Sequence, residues 1–154
     1  MTTKSIAILA AGLFAAASLL TSAPAAAAAR EVKITGNDQM QYSVKRIEAK
    51  PGESLKVVLT AVSSMPKAEM AHNFILLKKG SNPDAFVMAG AIARKTEYVP
   101  EAKKDQILAS TTLAGGGETV EVTFKAPTEP GEYVYLCSFP GHYAGGMKGV
   151  LVVK

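Results

Sequence analysis

Cys137-Ser138-Phe139-Pro140-Gly141-His142-Tyr143-Ala144-Gly145-Gly146-Met147-Lys148-Gly149 is the stretch on which the fold turns. Glu132–Cys137 before it and Lys148–Val153 after it read as strands. The segment between them is therefore one loop, with Cys137 closing a strand and Met147 opening the next. Its glycines let it fold tightly back on itself. A thiolate, an imidazole and a thioether thus converge within eleven residues. Thiolate and thioether ligands favour copper(I), and imidazole suits either copper state. Zinc is a poorer choice, because methionine is not among its usual ligands.

A second imidazole can come only from His72, since the chain has two histidines. His72 opens a short apolar run, His72–Leu77, that fits a strand buried on both faces. It lies 65 positions before Cys137, so the fold must set two remote strands side by side, as a Greek key does. Two histidines and a cysteine in a plane with a weak axial methionine make the blue-copper set.

The rest of the chain suits such a scaffold. Glu31–Thr35 reads as a first strand ended by Gly36-Asn37-Asp38, and Met40–Glu48 alternates loosely. Lys50-Pro51-Gly52-Glu53 is a turn. Leu55, Val57 and Leu59 face one way, and Lys56, Val58 and Thr60 the other. Ile107–Leu113 and Thr119–Phe124 complete the strands. Gly115-Gly116-Gly117 lacks the Lys-Ser/Thr ending and the following helix of a phosphate loop and reads as a hairpin turn. Residues 83–94 form one inserted helix, with Asn82 as N-cap, Pro83 at its first position, and Phe86, Ala89, Ile92 and Ala93 at helical spacing. The expected fold is all-β, a Greek-key β-sandwich of about eight strands with one short inserted helix.

In these motifs the chain resembles the cupredoxins, and within them the azurin and auracyanin group. The resemblance rests on C-S-F-P-G-H…M-K-G and on M-A-H-N-F around His72. Weaker likeness runs through Tyr98-Val99-Pro100, Ile107–Thr112 and Leu113–Glu118. It implies one copper ion cycling between Cu(II) and Cu(I), with His72, Cys137 and His142 equatorial and Met147 axial. It also implies that Asn73 bonds Ser138 and ties two ligand segments together, with Ala71 and Phe139 beside them. Three departures stand out. Four residues separate His142 from Met147, as in auracyanins and plastocyanins, where azurins have three. The azurin disulfide is absent. Ala71 stands where azurins have a glycine whose carbonyl faces the metal.

The resemblance further implies a non-enzymatic carrier of single electrons. Its exit would be the ring edge of His142, ringed by Met65, Pro66, Met70, Phe139, Pro140, Tyr143 and Ala144. Contiguous apolar patches of this kind mark contact surfaces. The partners would be redox proteins that dock briefly on a monomer, a cytochrome-like donor and an oxidase or reductase acceptor. Three other functions compete. A copper carrier or chaperone would favour a His-rich or Met-rich flexible tail, which is absent. A thiol enzyme pairing Cys137 with His142 would need an orienting group and an oxyanion site, and neither has a signature. A multi-copper enzyme would need histidines that the chain does not have.

Composition agrees with these limits. The chain has 154 residues, 48% hydrophobic, with one cysteine and a net charge of +4. This excludes an intramolecular disulfide and any multi-cysteine zinc or iron–sulfur framework. Residues 1–29 read as a signal peptide: Lys4, an apolar core over Ile6–Leu20, and Ala27-Ala28-Ala29 before Arg30. The competing reading, a membrane anchor, is weakened by Pro24 and the small polar residues before it. The expected location is the periplasm, with no membrane insertion after cleavage. The remaining domain, residues 30–154, carries +3, since Lys4 is the one charge removed. It has no dense basic cluster with interleaved aromatics, which argues against nucleic acid binding.

Overall fold

The structure is a computed structural model that describes residues 28–154. The expected signal segment lies almost entirely outside them. In chain order the elements are β1 (Arg30–Asn37), β2 (Arg46–Ala49), β3 (Ser54–Val62), β4 (Ala71–His72), β5 (Ile75–Leu77), α1 (Pro83–Gly90), β6 (Ile107–Ser110), β7 (Ala114–Gly115), β8 (Thr119–Lys125), β9 (Gly131–Leu136) and β10 (Lys148–Val153). Two sheets form the sandwich, one ordered β1-β3-β8 and the other β2-β10-β9-β5-β6, and β4 pairs with β7 in a small third sheet. β1 runs parallel to β3, and β2 parallel to β10.

Alternation produces the core. Along β3, Leu55, Val57 and Leu59 are fully buried, while Lys56, Val58 and Thr60 are only partly covered. They meet Leu76, Tyr135 and Leu151 of the opposing sheet in one cluster. Each such side chain stabilises the fold by about 1.5–3 kcal/mol through burial. The position of β5 decides the site. It pairs with β9, Ile75 against Leu136 and Leu76 against Tyr135. This non-sequential neighbour brings the His72 segment beside the strand that ends at Cys137.

Several elements differ from expectation. The helix stops at Gly90 rather than residue 94, and Ile92 is 91% exposed. The chain turns back after Ala93, whose carbonyl accepts from the Tyr98 N–H at 2.9 Å, and packs the Tyr98 carbonyl and Pro100 against the flank of the helix at Gly90. Asn82 does cap the helix, its Oδ1 accepting from the Ala85 N–H at 3.0 Å. The run 72–77 is not one strand but two, β4 and β5, broken at Asn73-Phe74. There the Phe74 N–H donates to Thr111 Oγ1 at 3.0 Å, and the Thr111 N–H donates to the Phe74 carbonyl at 2.9 Å. The same exchange ends β6 at Ser110, short of Leu113. Of Met40–Glu48, only the end is strand. Met40 takes a left-handed conformation at φ 55°, and Tyr42 makes a single bridge to Gly36. The glycine run is a tight turn, closed by the Glu118 N–H on the Gly115 carbonyl at 2.9 Å, but not the expected hairpin: β7 before it pairs with β4, and β8 after it with β3.

Candidate metal centre

The loop from Cys137 to Met147 holds its own shape. The Cys137 N–H donates to the Met147 carbonyl at 3.1 Å, and the Met147 N–H to the His142 carbonyl at 2.9 Å. The His142 N–H reaches the Phe139 carbonyl at 3.1 Å. Gly141 and Gly146 sit at φ 84° and 98°, a region in which a side chain is strained. These bonds turn Cys137, His142 and Met147 into the interior, where all three are buried.

His72 arrives from elsewhere. It pairs with Ala114 in the β4–β7 ladder. The next residue, Asn73, leaves the ladder and locks onto the loop. Its Nδ2 donates to Ser138 Oγ at 2.9 Å, and its Oδ1 accepts from the Ser138 N–H at 2.9 Å. The Tyr42 hydroxyl donates to the Asn73 carbonyl. All the polar groups of this buried knot are thus paired, as burial requires.

The donor atoms meet as a result. His72 Nδ1 lies 3.2 Å from His142 Nδ1, which lies 3.5 Å from Cys137 Sγ. All three lie within 4.8 Å of one another. Burial lowers the pKa of His72, and burial together with the neighbouring His72 holds His142 at about 4. Both imidazoles are therefore neutral at pH 7, the form that binds metal. Burial pushes the Cys137 thiol up to about 12, against backbone N–H groups of Asn73 and Phe139 that pull the other way. The thiol is inert until a cation displaces its proton. His72 Nε2 is buried with no partner, so the ring is held by its backbone and by whatever Nδ1 binds. Two buried ring nitrogens and a buried sulfur, all within 4.8 Å of one another, fit a single soft-to-borderline ion. They match the trigonal half of a copper site.

A family model for copper-binding proteins of the plastocyanin/azurin family matches residues 28–154, which takes in every donor. The chain belongs to that family. Azurin of Alcaligenes faecalis is 36% identical over 124 residues, covering 79% of this chain and 95% of its own. Azurin-1 of Alcaligenes xylosoxydans xylosoxydans is 41% identical over 125 residues, covering 78% and 94%. Among solved structures, auracyanin A, a blue copper protein from Chloroflexus aurantiacus, superposes with a TM-score of 0.71 at 32% identity. That match covers 82% of this chain and all of the auracyanin. As a cupredoxin of the azurin type, the protein takes one type 1 copper ion, with His72, Cys137 and His142 arranged to receive it.

The other expected residues differ in their cover. Met147 is fully buried, and its methyl group shares a neighbour, Gly36, with the His72 ring. Ala71 is buried, and its carbonyl lies 3.9 Å from Cys137 Sγ. The Phe139 ring packs 4.7 Å from that of His142. Met65, Pro66, Pro140 and Ala144 are exposed, and Met70 and Tyr143 half-buried. His142 is more covered than expected, at 3% exposure, so only a margin of the ring meets solvent. Sequence reasoning missed Tyr42, Thr111 and Gly36. Tyr42 acts through one hydrogen bond across 31 positions and Thr111 through a reciprocal pair across 37, which leave no local pattern. Gly36 was legible only as punctuation at the end of a strand.

Proposed function

We propose that this protein is a small blue copper electron carrier and not an enzyme, exported to the periplasm after loss of residues 1–29. The reading is supported by one observation above the others: the two imidazoles and the thiol sulfur are buried, with their donor atoms all within 4.8 Å of one another. Ligands fixed by packing and by outer hydrogen bonds would keep one geometry while the charge on the metal changes. Bound copper supplies a one-electron Cu(II)/Cu(I) couple. His72, Cys137 and His142 would hold it, the Met147 thioether would serve as a weaker fourth ligand, and Asn73 and Ser138 would keep His72 in register with the loop.

Electrons leave through the margin of His142. The surface residues Met65, Pro66, Met70, Pro140, Tyr143 and Ala144 would give redox proteins an apolar face for weak, brief docking, whereas Phe139, expected among them, is buried in the core. The protein works as a monomer between a cytochrome-like donor and an oxidase or reductase acceptor. The test is stopped-flow mixing of the reduced, copper-loaded protein with a small oxidised cytochrome, run beside copper transfer to a metal-free acceptor protein. Rapid cytochrome reduction with copper retained is expected. Slow electron transfer with ready loss of copper would replace the carrier reading with one of metal delivery.

A further inference from the structure

Gly36, the penultimate residue of β1, lies against the Met147 methyl group and the His72 ring. It pairs with Ala61 of β3 and bridges Tyr42. Unlike Gly141 and Gly146, it is not among the glycines with positive φ. The backbone here would accept any residue, so conformation does not explain why it is glycine. Space does. A Cβ built at Gly36 would lie 2.6 Å from Met147 Cε and 2.9 Å from both Cδ2 and Cγ of the His72 ring. Carbon atoms in good contact sit about 3.5–4.0 Å apart. Met147 and His72 are both fully buried, so neither can give way toward solvent.

We propose that Gly36 is a positioning residue for the copper centre. By having no side chain it lets the Met147 thioether and the His72 imidazole lie side by side against β1, and so sets how closely the thioether approaches the ion. The proposal rests on the reading of Met147 as axial ligand. The two neighbours are not equally yielding. The His72 ring is anchored by the β4–β7 ladder and by its Nδ1, which faces His142. Methionine is flexible and re-packs at its end. An added methyl group at position 36 would therefore displace mainly the thioether, because overpacking moves whatever can move most cheaply.

The test compares Gly36→Ala, Met147→Ala and the unaltered protein, all copper-loaded, by visible absorption, paramagnetic resonance and reduction potential. Gly36→Ala should stay blue, because Cys137 is untouched. Its spectrum and potential should shift part of the way toward those of Met147→Ala. If Met147→Ala itself changes nothing, the axial role of Met147 falls, and with it the route by which Gly36 acts. If Met147→Ala shifts both readouts while Gly36→Ala matches the unaltered protein, the assignment to Gly36 is overturned and the axial role stands. A readout that needs no variant covers the case in which Gly36→Ala does not fold. In the diamagnetic Cu(I) protein, proton cross-peaks should join Gly36 Hα to the Met147 methyl group and to His72 Hδ2, and their absence would equally overturn it.

Discussion

The two segments that build the metal centre are held in opposite ways. The loop 137–147 supplies three of the four expected ligands and is closed by short-range backbone bonds within itself. The segment His72-Asn73-Phe74 supplies one ligand and makes almost no local bonds. It is fastened by Asn73 to Ser138 across 65 positions, by Phe74 to Thr111 across 37, and by Tyr42 to Asn73 across 31. The loop shapes itself once the chain reaches it. The His72 segment has a place only when the sandwich is complete. Damage to the loop should therefore destroy the site chemically, and damage to the fasteners should move one ligand away from the others.

The sharpest break on the loop side is Cys137→Ala. The copper-loaded variant should lose the intense charge-transfer colour completely, as read by visible absorption; a variant that stays blue would sink the assignment. On the His72 side, Asn73→Ala strands the buried Ser138 N–H and removes a second bond. It should cost about 2–4 kcal/mol in urea denaturation and should also alter the copper spectrum. Ser138→Ala keeps the backbone bond to Asn73 Oδ1 and should cost only about 1 kcal/mol. Equal costs for these two variants would show that the knot acts through packing rather than through its bonds.

Acid tests both segments together, because it acts on the two imidazoles. An unfolded His142 titrates near 6.5, but in the folded, metal-free protein it does so at about 4. As pH falls below 6.5, the unfolded chain takes a proton that the folded one refuses. Stability present above pH 6.5 is then lost down to about pH 4, by up to about 3 kcal/mol for His142, and the lowered pKa of His72 adds in the same direction. The copper-loaded protein should resist this loss, since metal and proton compete for the same nitrogens. Denaturation midpoints at pH 7 and pH 4.5, with and without copper, check it. The smallest effect belongs far from the site. The Lys79–Glu129 pair, at 2.6 Å, joins two exposed side chains, and Lys79→Ala should leave the midpoint unchanged within error.

Legibility in the sequence followed the same division. The loop was readable because donor types and spacing are local facts, and strands on both sides made it a loop. The alternation of β3 was readable for the same reason. The helix end was not, because the chain turns back after Ala93 and packs Tyr98 and Pro100 against Gly90, contacts that local spacing does not count. The break at Asn73-Phe74 was hidden as well. An apolar run reads as one strand, and only the presence of Thr111 and Ser138 alongside makes it favourable to leave the ladder.

By itself the sequence determined which atoms can bind the ion: one sulfur, two imidazoles and a thioether, in a chain patterned to form two layers of strands. Those are properties of side chains and of their nearest neighbours, and they hold whatever the rest of the chain does. The tertiary structure decided that β5 lies beside β9, that Asn73 reaches Ser138, and that the strand passing against Met147 and His72 carries no side chain at Gly36. These depend on burying both sheets against each other at once, a condition that only the whole folded chain can meet.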